Sequence, residues 1–297
     1  MSPVVLLQNL PKNGEIIYAG QEPKNVPYLL PTTETTYFPI RNWEFPDPQI
    51  NVRSAVLYDS NSEKTLFSIE PKTKLPVASL TKLMTAVAVI ENTNLDDVVI
   101  IKKSAIEKSD QAGGGNDLYE NEKIKAADLL KVMLIESSNV SAYALAEHLE
   151  EKYGVNLTDK MNEKARELGM SDTFFTEAAG LDDQNSFSTG EDLVKLVKYS
   201  FRYDLLYEIL KTQRAEVASI DGRLRHQILN TNQLLGKLLN IIGGKTGFTE
   251  LAGGSMILVT ESPVGSGRLI TVVLGSNDRF EDTGRLVDWA AKAFIWK

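Results

Sequence analysis

The stretches with strand character lie at the two ends of this chain, and a long helical block separates them. Ser54–Asp59 and residues 65–69 are rich in β-branched and aromatic side chains and flank a polar turn at 60–64. Residues 256–260 and 269–274 form a second such pair around a Ser-Pro-Val-Gly-Ser-Gly turn. Two hairpins predict an antiparallel sheet rather than an alternating βα parallel one. The expected class is therefore α+β: an antiparallel sheet built from both chain ends and packed against helices. Between the hairpins, Leu83, Ala86, Val87 and Ile90 make an apolar stripe at helical spacing within 79–91. Ala126, Leu129, Leu130, Met133 and Leu134 make a second, and Ala142, Leu145, Ala146 and Leu149 a third. Ser188 and Glu191 have capping-box spacing before Leu193, Leu196 and Val197. Residues 282–296 predict a closing helix. There is no internal repeat.

Eight of the eleven prolines fall within residues 1–48. Proline fixes φ and lacks a donor, so this stretch suits neither a helix nor a central strand. It reads as an extended arm or stalk over 1–49, with the main domain over 50–297 and ordered structure starting near Val52. Tyr28, Tyr37, Phe38 and Trp43 favour an arm that packs partly on the domain.

Composition excludes several function classes. The net charge of −8 disfavours nucleic acid as a partner. No run of 18 or more apolar residues occurs, so no transmembrane segment is expected in this chain. The first residues lack the basic leader and long apolar core of a signal peptide, so an exported form would have its leader missing from this chain. The absence of cysteine removes thiol catalysis, thiolate metal sites and disulfides. His148 and His226 are the only histidines and form no HExxH pattern, so no metal site is expected. A polar helix face and a loop are their expected homes.

Three short motifs carry chemistry. Ser79-Leu-Thr-Lys82 places a hydroxyl at a helix start and an amine one turn later, on the same face. The helix N-terminus favours negative charge developing at Ser79. For Lys82 to act as a base, its pKa must fall from about 10.4 towards neutrality, which burial and a neighbouring cation both promote. The alternative is a helix cap followed by a solvated lysine. Ser137-Ser138-Asn139, between the second and third helices, offers a hydroxyl to relay a proton and a carboxamide to hold an amide. Asn139 as a plain helix cap is the alternative. In Gly243-Gly-Lys245-Thr246-Gly247, a lysine and a threonine at a sheet edge suit a carboxylate, and Gly247 permits close backbone approach. A simple turn between strands is the alternative.

SxxK, SxN and KTG in this order resemble the serine penicillin-recognising enzymes and class A β-lactamases. Residues 76–86 (PVASLTKLMTA), 168–175 (LGMSDTFF), Gly180-Leu181, 188–193 (STGEDL) and Lys245-Thr-Gly-Phe-Thr249 with Ala252-Gly253 are similar to the low-molecular-mass D-alanyl-D-alanine carboxypeptidases. The resemblance covers about residues 50–297 and implies a β-lactamase/DD-peptidase-like fold. It implies that Ser79 is the acylated nucleophile, Lys82 its base, and Ser137 the relay to the leaving amine. It further implies that Asn139 binds the substrate amide and that Lys245 and Thr246 hold the terminal carboxylate. The N–H groups of Ser79 and Phe248 would form the oxyanion hole. Arg279 aligns loosely with a carboxylate-binding arginine, and a solvated surface charge is the alternative. Two departures stand out. Val140 and Ser141 follow Asn139 where an acidic and then a small residue are usual, and Glu177 stands where asparagine is common.

The expected function is that of a serine D-Ala-D-Ala carboxypeptidase without a cofactor. It would act outside the cytoplasm on peptidoglycan stem peptides, with β-lactams as inhibitors. The alternatives are a DD-endopeptidase, a β-lactamase, or a penicillin-binding sensor with slow turnover. The residues 183–189 (DQNSFST) look somewhat like the endopeptidase branch. In a class A β-lactamase a glutamate downstream of the SxN loop activates the deacylating water. Glu177 is the candidate here, against a loop-bracing or solvated carboxylate. Because the mechanism uses no metal, peptide hydrolysis will survive EDTA at full rate; loss on chelation with recovery on added zinc would contradict it.

Overall fold

The computed structural model describes residues 38–111, 118–263 and 267–296. In chain order the elements are β1 (Pro39–Arg41), β2 (Ser54–Asp59), β3 (Lys64–Ile69), α1 (Thr81–Asn92), β4 (Val98–Ile100), α2 (Lys103–Gln111), β5 (Lys123–Lys125) and α3 (Ala126–Lys131). They continue with α4 (Asn139–Tyr153), α5 (Leu157–Glu167), α6 (Gly190–Ser200), α7 (Asp204–Leu210), β6 (Arg214–Ala218) and β7 (Arg225–Leu229). The chain closes with β8 (Ile241–Thr249), β9 (Gly253–Glu261), β10 (Arg268–Ser276), α8 (Arg279–Ala293) and β11 (Phe294–Trp296).

The main sheet is antiparallel, in the order β3-β2-β10-β9-β8. The expected union of the two chain ends is the β2–β10 pairing, where Val56 lies opposite Val272. Side chains alternate between two buried faces. Val56, Ile257, Val259, Ile270, Val272 and Leu274 join the core of the helical block. Ala55, Leu57, Met256, Leu258, Leu269 and Val273 face the other side, where Leu286, Trp289 and Ala290 of α8 pack. The fold is the expected α+β sandwich.

Helix α1 is the axis of the helical block. Every residue from Thr81 to Val89 is buried, so the single apolar stripe read from the sequence understates its burial. A helix enclosed on all sides is a core element, and anything polar on it has to find partners inside the protein. Lys82 is on this helix.

The structure corrects several local expectations. Ser79 lies not in α1 but in a 3₁₀ turn, Ala78–Leu80, before it. The second apolar stripe is α3 followed by a π turn, Val132–Glu136. Thr189, not Ser188, caps α6 by accepting from the Asp192 N–H at 3.1 Å; Ser188 instead bridges to Leu75. The closing helix ends at Ala293, because the following Phe-Ile-Trp pairs with β1 as a strand. Order begins well before Val52. Trp289 Nε1 donates to the Pro46 carbonyl at 2.7 Å, and the Arg41 guanidinium lies 4.8 Å from the Trp289 ring centroid. Most of the proline-rich stretch, with Tyr28 and Tyr37, lies outside the described residues, as does the middle of the 262–267 turn. No described helix is long and apolar enough to cross a membrane.

Both histidines pair with acids. His226 is on strand β7, not in a loop, and its Nε2 is 2.6 Å from Glu122. His148 of α4 faces Asp97 at 3.0 Å. Asp97 also accepts from Tyr153 Oη at 2.6 Å and from Lys152. One buried carboxylate thereby ties the C-terminal half of α4 to the loop after α1. The Lys152 hydrogen bond, then those from Tyr153 and His148, hold its carboxyl well below the usual carboxylate range. A carboxylate held low in the folded state stabilises at pH values above its unfolded pKa of about 3.9, and this is lost as pH falls through the folded pKa. Asp97→Asn will therefore be less stable than the parent by about 1–3 kcal/mol at neutral pH. The gap will narrow as pH drops below about 4 in denaturant titrations; a gap independent of pH would contradict the linkage.

Candidate active site

Ser79 is presented by a strained turn. Ala78, just before it, has φ +49°, a conformation that costs a non-glycine residue about 1 kcal/mol or more and that clusters at functional sites. The turn delivers Ser79 to the start of α1, one turn from Lys82. The Lys82 side chain is 0% exposed. Its Nζ lies 2.9 Å from Ser79 Oγ, 2.7 Å from Asn139 Oδ1 and 2.6 Å from the Ala179 carbonyl oxygen. These three acceptors come from three separate segments. A neutral amine has two N–H donors and one lone pair. The protonated amine donates to all three, whereas the neutral amine would turn its lone pair to the Ser79 hydroxyl and could take that proton.

Ser137 and Asn139 sit where the second helix breaks. The π turn ends at Ser137, which has φ +69°; π turns recur at functional sites. Ser138 caps α4, accepting from the Ser141 N–H at 3.1 Å. That leaves the Asn139 carboxamide to Lys82, so Asn139 is not the cap.

Strand β8 is the edge of the sheet on the site side. Lys245 lies opposite Ile257, on the face of the helical block, and Thr246 opposite Met256, on the α8 face. Lys245 is 1% exposed, and its Nζ donates to Ser137 Oγ at 2.8 Å. Burial, then the cations Lys82 and Arg279, push the Lys245 amine well below the usual lysine range. The Thr246 hydroxyl meets that of Thr231 at 2.6 Å. Gly247 makes the close approach expected of it. A Cβ there would lie 3.1 Å from the Ser79 nitrogen and from the Val77 carbonyl oxygen. The β8 backbone at Gly247-Phe248 therefore runs beside the Ser79 N–H. Arg279 opens α8; its guanidinium is 6.0 Å from the Phe248 ring centroid, and its Nε is buried without a hydrogen bond. Arg279 is thus at the Lys245–Phe248 end of the site rather than solvated on a remote surface.

All three motifs converge, and SxxK, SxN and KTG are linked by direct hydrogen bonds through Lys82 and Lys245. Glu177 has the loop-bracing role. Its carboxylate accepts from the N–H groups of Ala179 (2.7 Å), Gly180 and Leu181 (2.8 Å) and from Tyr143 Oη (2.9 Å). With both oxygens so occupied, it has little capacity left to activate a water. Sequence reasoning missed two contributors. The Ala179 carbonyl is a backbone group, signalled only by the adjacent Gly180, whose Cβ would lie 2.0 Å from the Ala78 carbonyl oxygen. Thr231, whose N–H also donates to the Ile135 carbonyl at 3.1 Å, left no sequence signal.

Comparison with known proteins agrees with this geometry. The D-alanyl-D-alanine carboxypeptidase family, peptidase S11, matches residues 42–278. A D-alanyl-D-alanine endopeptidase of Pseudomonas aeruginosa is 35% identical over 80% of this chain and 76% of its own length. Its Escherichia coli counterpart is 33% identical over 82% and 78%. The E. coli D-alanyl-D-alanine carboxypeptidase DacC is 32% identical over 83% of this chain and 63% of its own length. Among solved structures, the Streptomyces K15 DD-transpeptidase superposes with a TM-score of 0.76 at 26% identity, over 83% of this chain and 99% of that one. The chain belongs to the D-alanyl-D-alanine carboxypeptidase family of serine peptidases.

Proposed function

We propose that this protein is a serine DD-peptidase that removes the terminal D-alanine of peptidoglycan stem peptides through an acyl-enzyme on Ser79. The observation that carries the reading is the buried Lys82 amine, 2.9 Å from Ser79 Oγ and held by two further acceptors. In the first step Ser79 Oγ attacks the penultimate D-alanine carbonyl and its proton passes to Lys82. The N–H groups of Ser79 and Phe248 take the developing oxyanion, usually the largest electrostatic contribution. As the C–N bond breaks, Ser137 relays a proton to the leaving amine; Lys245, bonded to its oxygen, supports that relay. Asn139 orients the substrate amide. Lys245, Thr246 and Arg279 gather cationic and hydroxyl groups for the terminal carboxylate. Water then attacks the acyl carbonyl and restores Ser79. A peptidoglycan substrate supports action outside the cytoplasm, and β-lactams would be inhibitors that stop at the acyl stage.

A second reading, cleavage of peptidoglycan cross-links, keeps the same chemistry with a larger leaving group. Two observations favour it. The relatives at 35% and 33% identity are named endopeptidases. A cleft of about 1010 Å³, walled by Tyr143, Glu177, Asp182, Phe248 and Glu250 among others, adjoins β8 beside Phe248 and has room for more than one amino acid. Release of D-alanine from a D-Ala-D-Ala peptide, measured against cleavage of a cross-linked muropeptide, separates the two.

Benzylpenicillin will form one adduct on the parent and none on Ser79→Ala in intact-protein mass spectrometry; a full adduct on the variant would remove Ser79 from its role. Lys82→Ala will slow acylation by ~10²-fold or more, the usual scale for losing a general base. Lys245→Ala will mainly raise KM for the peptide. Equal acylation rates in Lys82→Ala and the parent would show that another base operates.

A further inference from the structure

Glu177 takes no part in the steps above, yet it is wired to them. The peptide group joining Ala179 and Gly180 is shared between two partners. Its N–H donates to Glu177 Oε1, and its C=O accepts from Lys82 Nζ at 2.6 Å. A single planar amide thus lies between a carboxylate and the amine that faces Ser79. Hydrogen bonds at the two ends of one amide polarise each other. A carboxylate on the N–H makes the C=O a stronger acceptor, and a stronger acceptor favours the protonated amine.

The surrounding fold fixes this arrangement. Gly180 has φ +82°, and a Cβ there would overlap the Ala78 carbonyl, so the 177–181 loop lies flush against the turn carrying Ser79. On its other side Glu177 accepts from Tyr143, one helical turn along α4 from Asn139, which holds the same amine. The groups facing Lys82 include the Ser79 hydroxyl from its own turn, Asn139 from α4 and the Ala179 carbonyl from the loop. Lys245 adds its charge from β8, with Arg279 of α8 acting on Lys245 in turn. Tyr143 is hydrogen-bonded to Glu177, and Lys108 of α2, ion-paired with Glu147, lies 5.8 Å from the Tyr143 ring centroid.

We propose that Glu177 is a positioning residue that sets the proton affinity of Lys82 through the Ala179–Gly180 peptide. The proposal rests on Lys82 being the base for Ser79. The Glu177 charge accordingly makes Lys82 more basic than a neutral side chain at that place would, and moves the acid limb of acylation to higher pH.

The test is the pH dependence of Ser79 acylation by benzylpenicillin, followed by intact-protein mass spectrometry. Glu177→Gln removes the charge and keeps an oxygen for the loop amides. Its acid limb will lie at lower pH than the parent's, by about half a unit or more. Tyr143→Phe keeps the charge and removes a donor that disperses it, so its limb will move the opposite way. An unchanged limb in Glu177→Gln, with the adduct still on Ser79, would overturn the proposal. If Glu177→Gln does not fold, Tyr143→Phe decides alone, and an unchanged limb there overturns it. An adduct that persists in Ser79→Ala would instead sink the reading of the site beneath it.

Discussion

The site depends on one buried amine. A lysine taken out of water inside a core helix is costly unless its donors are met. Lys82 is met by partners from three different segments: the Ser79 turn, the first residue of α4, and the 177–181 loop. The energetic need of one side chain therefore fixes the relative position of three segments. The same arrangement aims the amine at the serine, so the requirement for folding and the requirement for nucleophile activation coincide.

The sheet supplies the second half. Because β10 pairs with both β2 and β9, the first and last thirds of the chain are laid side by side, and β8 becomes the edge next to the Ser79 turn. Two glycines make that contact possible. Gly247 lets the β8 backbone run beside the Ser79 nitrogen, and Gly180 lets the bracing loop press on the Ala78 carbonyl from another side. Lys245, on the helical face of β8, then reaches Ser137 and adds a second buried amine beside the first. Burial first, and then the neighbouring Lys82 and Arg279 charges, lower the proton affinity of Lys245.

What could be read from the sequence was what is local or carried by side-chain type. The strands of the main sheet, their antiparallel joining and the three motifs follow from periodicity and residue identity. The residues that failed to reveal themselves act through backbone or tertiary contact. The Ala179 carbonyl has no side chain to notice. Thr231 is an ordinary threonine until the fold sets it 2.6 Å from Thr246. The α1 stripe looked one-sided because small and polar residues such as Thr81, Thr85 and Ala88 are buried by neighbours, not by their own hydrophobicity. Phe294–Trp296 looked helical because their strand partner, β1, lies in a proline-rich stretch that gave no strand signal.

Lys82, gripped by Asn139 and Ala179, faces the bond that forms at Ser79. A crystal structure of the penicilloyl adduct tests it most directly. The ester will stand on Ser79 Oγ, with the acyl oxygen between the N–H groups of Ser79 and Phe248. Lys82 Nζ will stay on Asn139 Oδ1 and the Ala179 carbonyl. An adduct on another residue, or a Lys82 side chain swung away from both acceptors while the ester stands on Ser79, would contradict it.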